Sequence, residues 1–146
     1  MKHISVYFSI FILFANIVFS QNKSEGICGI WLTPENRSAI HIFKSGKYYF
    51  GKISWAKNPF DKNGNPKKDI HNPDPKLRNR LLKGLIIMKN VSYDKRTKKG
   101  KGKIYNPENG KTYKMNIELV DANTLEVRGY IGISLAGKTS VWKRKK

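Results

Sequence analysis

The strongest constraint on the fold is a two-residue alternation of apolar and polar side chains that recurs through the chain. It is clearest between residues 113 and 119, where Tyr113, Met115, Ile117 and Leu119 alternate with Lys114, Asn116 and Glu118. Successive side chains of a β-strand point to opposite faces, so a period of two predicts a strand with one face in the core. The later part of the chain is therefore predicted to be β-structure.

Short segments of the same kind occur elsewhere, separated by turn sequences. They cover residues 28–33, 38–44, 48–55, 84–93, 102–105, 125–131 and 139–143. The turns are rich in Gly, Asn, Asp and Pro, as at residues 45–47 and 106–110, with a basic turn at 96–101. Roughly eight short strands with regularly spaced turns predict an all-β antiparallel sandwich or barrel.

The amino-terminal segment has the pattern of a secretory signal peptide. Lys2 precedes an apolar run from Val6 to Phe19, and Ser20 supplies a small residue at its end. The run is too short to span a bilayer comfortably. We expect cleavage after Ser20, which leaves residues 21–146 as one exported domain. The periplasm is the expected compartment, and secretion is the alternative.

The chain is strongly basic, with a formal net charge of +19 from 29 Lys and Arg against 10 Asp and Glu. Such a field favours anionic partners, among them the surface of the cell envelope. A solvated, lysine-rich surface is the simpler interpretation and stays open beside it. Nucleic acid ranks last because an exported protein rarely meets it. The single cysteine, Cys28, excludes an intramolecular disulfide, so stability must come from packing.

Residues 72–85 form the least generic stretch and lie between two groups of predicted strands. Pro73 and Pro75 bracket Asp74, which predicts a stiff, ordered loop. Arg78 and Arg80 follow at a spacing of two. One interpretation is an anion clamp at the mouth of a barrel. The other, which we favour, is structural: an arginine pairs with Asp74 and with loop carbonyls and pins the loop.

Catalytic and metal sites find little support in the sequence. His71 lies near Asp69 and Asp74, but the spacing matches no metal motif, so no metal or cofactor is expected. Cys28 is interpreted as a packing residue, since nothing beside it would lower its pKa. We assign no catalytic residue, and a hydrolase ranks behind binding functions. The aromatic side chains, including Trp55 and Tyr105, suit either a core or a ligand site.

The sequence resembles a family of exported bacterial proteins catalogued as domain of unknown function 2147. The resemblance rests on residues 29–32, 51–55, 72–85 and 102–113, and it continues to 128–132. It implies a lipocalin-like, or calycin, β-barrel. In that superfamily a Gly-x-Trp motif, here Gly29 and Trp31, plugs one barrel end, and a basic residue of the last strand stacks on the tryptophan. Arg144 is the expected partner.

Together these observations predict a single lipocalin-like barrel of about eight strands with a long ordered loop over one end. The expected function is noncatalytic binding of a small amphipathic or anionic ligand from the cell envelope. The candidate ligand-binding residues are Asp74, Arg78, Arg80, Trp55 and Tyr105. The alternative is a basic interaction protein of the envelope surface with a filled barrel.

Overall fold

The computed structural model describes residues 26–146, which form an eight-stranded antiparallel barrel. The strands are β1 (Gly29–Leu32), β2 (Ser38–Ser45), β3 (Tyr48–Ala56), β4 (Ile86–Asp94), β5 (Lys99–Asn106), β6 (Lys111–Asp121), β7 (Thr124–Tyr130) and β8 (Lys138–Arg144). No α-helix occurs in residues 26–146, and none of the structure described there could cross a membrane as a helix. The predicted fold class is confirmed. The predicted signal peptide lies outside the described residues.

Each strand pairs with its neighbour in sequence, and the barrel closes where β8 meets β1. This seam is short: Trp31 pairs with Arg144 and Leu32 pairs with Lys143. Closure leaves no exposed strand edge for another chain to join.

The antiparallel order divides the connections between two ends of the barrel. The loop end carries the connections 33–37, 57–85, 107–110 and 131–137. The closed end carries the short turns 46–47, 95–98 and 122–123 together with both termini of the barrel domain. The long loop predicted from residues 72–85 therefore lies at one end, as expected.

Side chains pack the inside of the barrel closely. The largest fully buried ones include Trp31, Ile40, Ile42, Met88, Met115 and Leu125. Glycines in the wall leave no spare room: a Cβ at Gly51 would lie 2.6 Å from Sδ of Met88, and one at Gly102 would lie 2.9 Å from Cγ2 of Val91. The space that a side chain would occupy at each of these glycines is thus already filled by a neighbouring residue, and the barrel is filled at these levels.

Arg144 closes one end of the barrel by contacting Trp31. Its guanidinium carbon lies 4.2 Å from the ring centroid of Trp31. The guanidinium also donates to the carbonyls of Gly26, Cys28 and Ala122 at 2.7, 2.7 and 2.6 Å. The stacking expected from the Gly-x-Trp motif is present. Gly29 has a φ of +127°, and a Cβ there would lie 2.7 Å from Nη1 of Arg144, so only glycine fits.

Three details of the strand predictions need correction. β5 begins at Lys99, inside the predicted basic turn, because Lys99 and Lys101 point outward and extend the alternation without disturbing the core. Ile131 falls outside β7 and is exposed. Strict alternation through the predicted strand 48–55 would put Trp55 on the face of Tyr49 and Ile53, but it is 46% exposed whereas those two are buried. The cause is a bulge in β3: Ile53 pairs with Ile40 and Trp55 pairs with the adjacent Ala39, so Ser54 is an extra residue and Trp55 leaves the face that Tyr49 and Ile53 share.

The close packing of the wall predicts how two glycine positions respond to an added methyl group. In Gly100→Ala the new Cβ would lie 2.6 Å from the backbone oxygen of Ser92, which cannot swing away. We expect this variant to lose about 1 to 3 kcal/mol of unfolding free energy in urea denaturation.

Gly129→Ala is the matched control, because its Cβ would meet side-chain atoms at an ordinary 3.7 and 3.8 Å. Its unfolding free energy should change by less than about 0.5 kcal/mol. Equal stability of the two variants would contradict the filled wall.

Candidate functional site

The long loop between β3 and β4 has an ordered backbone. Isolated bridges join Phe60 to Pro66 and Lys68 to Leu81. On either side of the second bridge, the amide of Asp69 donates to the carbonyl of Arg80, and that of Leu82 donates to Lys67, both at 2.9 Å. The loop thus meets its own backbone hydrogen-bond requirement, as a connection of this length must.

Asp69 is the polar centre of this loop and is fully buried. Its carboxylate accepts hydrogen bonds from the hydroxyl of Tyr105 at 2.5 Å, from Nδ2 of Asn72 at 2.8 Å and from Nη2 of Arg80 at 2.9 Å. Asn72 Nδ2 is also 3.3 Å from the Tyr105 hydroxyl. We call Asp69, Asn72, Arg80 and Tyr105 the Asp69 network. It fixes the loop to β5.

The Asp69 network shifts the acid-base properties of two of its members. Burial alone would raise the pKa of Asp69, but the hydrogen bonds from Tyr105, Asn72 and Arg80 outweigh it and hold that pKa below its ordinary value. Burial, reinforced by the hydrogen bond to the Asp69 carboxylate, raises the pKa of Tyr105 to about 12. Asp69 is therefore a buried carboxylate that stays charged, and Tyr105 is a donor that keeps its proton.

The network packs against the outer wall of the barrel and not inside it. In β5, Ile104 pairs with Tyr113 and packs against the core, so its side chain belongs to the inner face. The next residue, Tyr105, pairs with the exposed Thr112 and by strand alternation points outward. Tyr105 is buried because the loop folds over it. The hydroxyl of Tyr105, a candidate ligand-binding group, is thus engaged by Asp69 beneath the loop, and a ligand-binding role for this residue stays a prediction.

Neither Arg78 nor Arg80 forms the ion pair with Asp74 that the sequence suggested. Asp74 accepts from the amide of Lys76 at 3.0 Å and caps the short 3₁₀ turn Pro75–Leu77. Nε of Arg78 donates to the carbonyl of Asn72 at 2.8 Å. The carboxylate paired with Arg80 is that of Asp69, so an arginine does pin the loop, but through a different acid. Asp followed by Pro at the start of a turn is an N-cap signal, which explains why Asp74 is engaged elsewhere.

The remaining sequence candidates are not among the hydrogen-bonded members of the Asp69 network. His71 is exposed, and no cluster of metal-binding side chains occurs within residues 26–146. The backbone oxygen of His71 instead contacts Gly110 so closely that no side chain could replace that glycine's hydrogen. Cys28 is half-buried and packs against the core. Trp55 lies at the end of β3, with no hydrogen bond to the Asp69 network among the described residues.

Exposed apolar side chains gather at the loop end. Trp55, Phe60, Ile70 and Leu81 are 46%, 56%, 61% and 49% exposed, and all lie in or beside the long loop. Ile131, Ile133 and Leu135 are exposed in the neighbouring connection 131–137. Isolated apolar side chains are normal on a surface, but seven in or beside the connections of one end are a feature of that end.

A separate open groove of about 690 Å³ crosses the outer wall over strands β4 to β8. Its lining carries both signs of charge, including Lys99, Glu118, Glu126 and Arg128. Lys99 and Glu118 lie 3.5 Å apart as an ion pair. Because its charges are mixed and partly paired, the groove does not select an anion, and the loop end remains the better candidate.

Eight consecutive antiparallel strands, a plug of Trp31 and Arg144 at one end and longer loops at the other define a lipocalin-like barrel. The family described as "Uncharacterized protein conserved in bacteria (DUF2147)" matches residues 29–144, and the chain belongs to that family.

One solved structure supports the same fold. Protein HP1028 from the human pathogen Helicobacter pylori, described as belonging to the lipocalin family, superimposes with a TM-score of 0.71 and 30% sequence identity over 82% of each chain. Among curated proteins, none matches this chain significantly.

The Asp69 network predicts that the two loop arginines differ in their effect on stability. Arg80→Ala removes a charged partner from a fully buried carboxylate. We expect a loss of about 2 kcal/mol in urea unfolding, less than for a fully buried pair because the Arg80 side chain is 38% exposed. Arg78→Ala removes one hydrogen bond to a carbonyl and should cost about 1 kcal/mol or less. A larger loss from Arg78→Ala would show that Asp69 does not organise the loop.

The raised pKa of Tyr105 predicts a specific effect at alkaline pH. The unfolded chain releases the tyrosine proton near pH 10, whereas the folded chain keeps it to about 12. Stability from Tyr105 is therefore complete below pH 10 and is lost as the pH rises towards 12. Wild type should be more stable than Tyr105→Phe at neutral pH. The difference between their unfolding free energies should become smaller from pH 10 to about 12. A gap that stays constant in urea titrations across those pH values would refute the assignment.

Proposed function

We propose that this protein is a noncatalytic binding module for a small amphipathic anion of the cell envelope, and that it binds its ligand at the loop end. The observation that carries the proposal is the set of exposed apolar side chains in or beside the long loop of a chain whose net charge is +19. Apolar surface beside cationic groups matches a ligand with a hydrocarbon part and an acidic head. Export through the expected signal peptide would bring the protein to such ligands.

Packing argues for the loop end over the inner barrel. The inner face is occupied at Gly51, Gly100 and Gly102, and the opposite end is sealed by Arg144 and Trp31. An eight-stranded barrel is just wide enough either to be filled by side chains or to hold one small ligand, and this one is filled at those levels. The apolar part of a ligand would therefore lie against the loop and not in a deep pocket.

Arg78 is the better anion-binding residue of the two loop arginines. Arg80 already donates to Asp69 at 2.9 Å. Arg78 is exposed and anchored through Nε to the carbonyl of Asn72, and its two terminal nitrogens make no hydrogen bond within the described residues. A guanidinium oriented in this way can donate both terminal N–H groups to one carboxylate or phosphate. In this proposal Asp74 only shapes the loop that presents Arg78.

A second candidate function is favoured by the same filled interior: a basic interaction protein that acts on the envelope surface through its positive field. It needs no ligand pocket, and it predicts binding that weakens steeply with salt and depends little on any one apolar side chain.

Titration of residues 21–146 with dodecanoate, followed by tryptophan fluorescence, tests the proposal. Trp31 and Trp142 are buried and Trp55 is 46% exposed, so a ligand at the loop end should change mainly the emission of Trp55. We expect saturable binding of dodecanoate and weaker binding of the neutral dodecanol. Arg78→Gln and Leu81→Ser should each weaken dodecanoate binding about tenfold, the loss of roughly one charge-assisted hydrogen bond or one buried side chain.

The control is Val120→Ser, which removes an apolar side chain of similar exposure, 51% against 49% for Leu81, from the closed end. It should bind dodecanoate as wild type does. Equal weakening by Val120→Ser and Leu81→Ser would indicate nonspecific adsorption of the amphiphile and would overturn the site. Loss of binding with salt alone, with all three variants equal, would support the surface interaction protein.

A further inference from the structure

The connection between β7 and β8 presents three large apolar side chains to solvent. Its sequence is Ile-Gly-Ile-Ser-Leu-Ala-Gly at residues 131–137. Ile131, Ile133 and Leu135 are 63%, 67% and 87% exposed, and Leu135 is the most exposed of the large hydrophobic residues in the described part of the chain. We call residues 131–137 the apolar loop.

Hydrogen bonds hold the apolar loop in shape from within the barrel wall. Arg128 of β7 donates from Nε to the carbonyl of Ser134 at 2.7 Å and from Nη2 to that of Leu135 at 3.0 Å, while its Nη1 donates to the hydroxyl of Thr139 at 2.7 Å. The loop also contains a 3₁₀ turn at Ser134–Ala136.

Packing at the end of the apolar loop adds to this support. A Cβ at Gly137 would lie 2.6 Å from the oxygen of Gly129, so the loop returns close to the wall. The apolar side chains are thus exposed on a backbone that is held by hydrogen bonds and close packing. Preorganised exposure of this kind lowers the entropy cost of binding something apolar.

Charge and size identify the kind of surface that the apolar loop fits. Lys138 follows the loop directly, Lys114 pairs with Tyr130 at its start, and Lys111 begins β6 at the same end. Three apolar tips on one narrow turn are too small for a stable protein interface, which buries about 800 Å² per partner. A bilayer needs only a few inserted side chains and nearby cations, since apolar insertion and attraction to anionic headgroups add.

We propose that the apolar loop inserts into the interfacial layer of an anionic phospholipid bilayer, with the lysines at its base on the headgroups. Ile133 and Leu135 reach the boundary of the acyl chains, and Arg128 keeps the loop in the inserting conformation. The proposal goes beyond the small-ligand site and does not rest on it, because it uses a different connection and different side chains. If both hold, the loop end faces the membrane from which the amphiphile comes.

The test is cosedimentation of residues 21–146 with vesicles of phosphatidylcholine mixed with phosphatidylglycerol, beside vesicles of phosphatidylcholine alone. We expect binding to the anionic vesicles, weakened but not abolished by raised salt. The double variant Ile133→Ser with Leu135→Ser should lower the partition coefficient about a hundredfold, roughly tenfold for each side chain removed from contact with lipid. Val120→Ser, at the closed end, should bind as wild type does.

Three outcomes would overturn the proposal. Wild type that fails to bind the anionic vesicles at low salt excludes it. Equal binding by wild type and the double variant, both folded by circular dichroism, would show that charge alone attracts the protein. Concentration-dependent self-association that the double variant abolishes, without vesicle binding, would assign the apolar loop to a protein partner.

A second measurement keeps the test sharp if the double variant is unstable. Leu135→Trp places a fluorophore at the tip of the apolar loop, and its emission should shift to the blue with anionic vesicles and be quenched by brominated acyl chains. Unquenched emission from this variant while it is bound to vesicles would place the loop outside the bilayer. Leu81→Ser should leave vesicle binding unchanged, and the double variant should leave dodecanoate binding unchanged, which separates failure of this proposal from failure of the small-ligand site.

Discussion

The contact between Arg144 and Trp31 is the interaction on which the closed barrel depends. β1 has four residues and pairs with β8 at two positions, so the backbone ladder of this seam is the shortest in the barrel. The Arg144 guanidinium supplements it by covering the indole and by satisfying carbonyls from the segment before β1 and from the β6–β7 turn. A cation over an indole contributes about 0.5 to 2 kcal/mol, and hydrogen bonds from a charged donor add to that. Gly29 is required because any side chain there would displace the guanidinium.

The structure at the opposite end depends on carboxylates, which are few in this chain. The chain has 29 basic and 10 acidic side chains, so basic side chains outnumber their possible acidic partners almost three to one. Asp69 is the buried one, and it joins the long loop to β5 through Tyr105 and Arg80. Glu108 in the β5–β6 turn pairs with Arg37 at 2.6 Å, which brings a third connection of the same end into contact. That pair is exposed and contributes little energy, whereas the Asp69 network organises the loop.

Much of the fold could be predicted from the sequence because alternation is a local property. The alternation of Met115, Ile117 and Leu119 predicts an inner face whatever those residues pack against. The Gly-x-Trp motif points to Arg144 through a family resemblance. The Asp69 network could not be predicted in this way, since Asp69 and Tyr105 lie 36 residues apart and meet only because the loop folds over the outer wall. Local reasoning favoured Asp74, which has the better placed arginines in sequence but serves as a cap. The sequence likewise does not show whether the space beside a glycine is empty or filled, because this depends on residues of other strands, such as Met88 beside Gly51.

The two ends of the barrel therefore differ in physical character: one end is closed by packing, and the other exposes apolar side chains on loops with a fixed backbone. One end is sealed by a cation on an indole, and the wall above it is packed to the point where a methyl group does not fit at Gly51 or Gly100. Packing of that quality leaves little interior volume for a ligand, and the proposed function therefore assigns recognition to the loops. There the backbone is fixed by buried or braced hydrogen bonds from Arg80 and Arg128, while the apolar side chains beside them face solvent. Arg80 donates to a carboxylate and Arg128 donates to loop carbonyls, so each arginine fixes the backbone beneath an exposed apolar surface. A surface whose backbone is already fixed loses little conformational entropy when it binds.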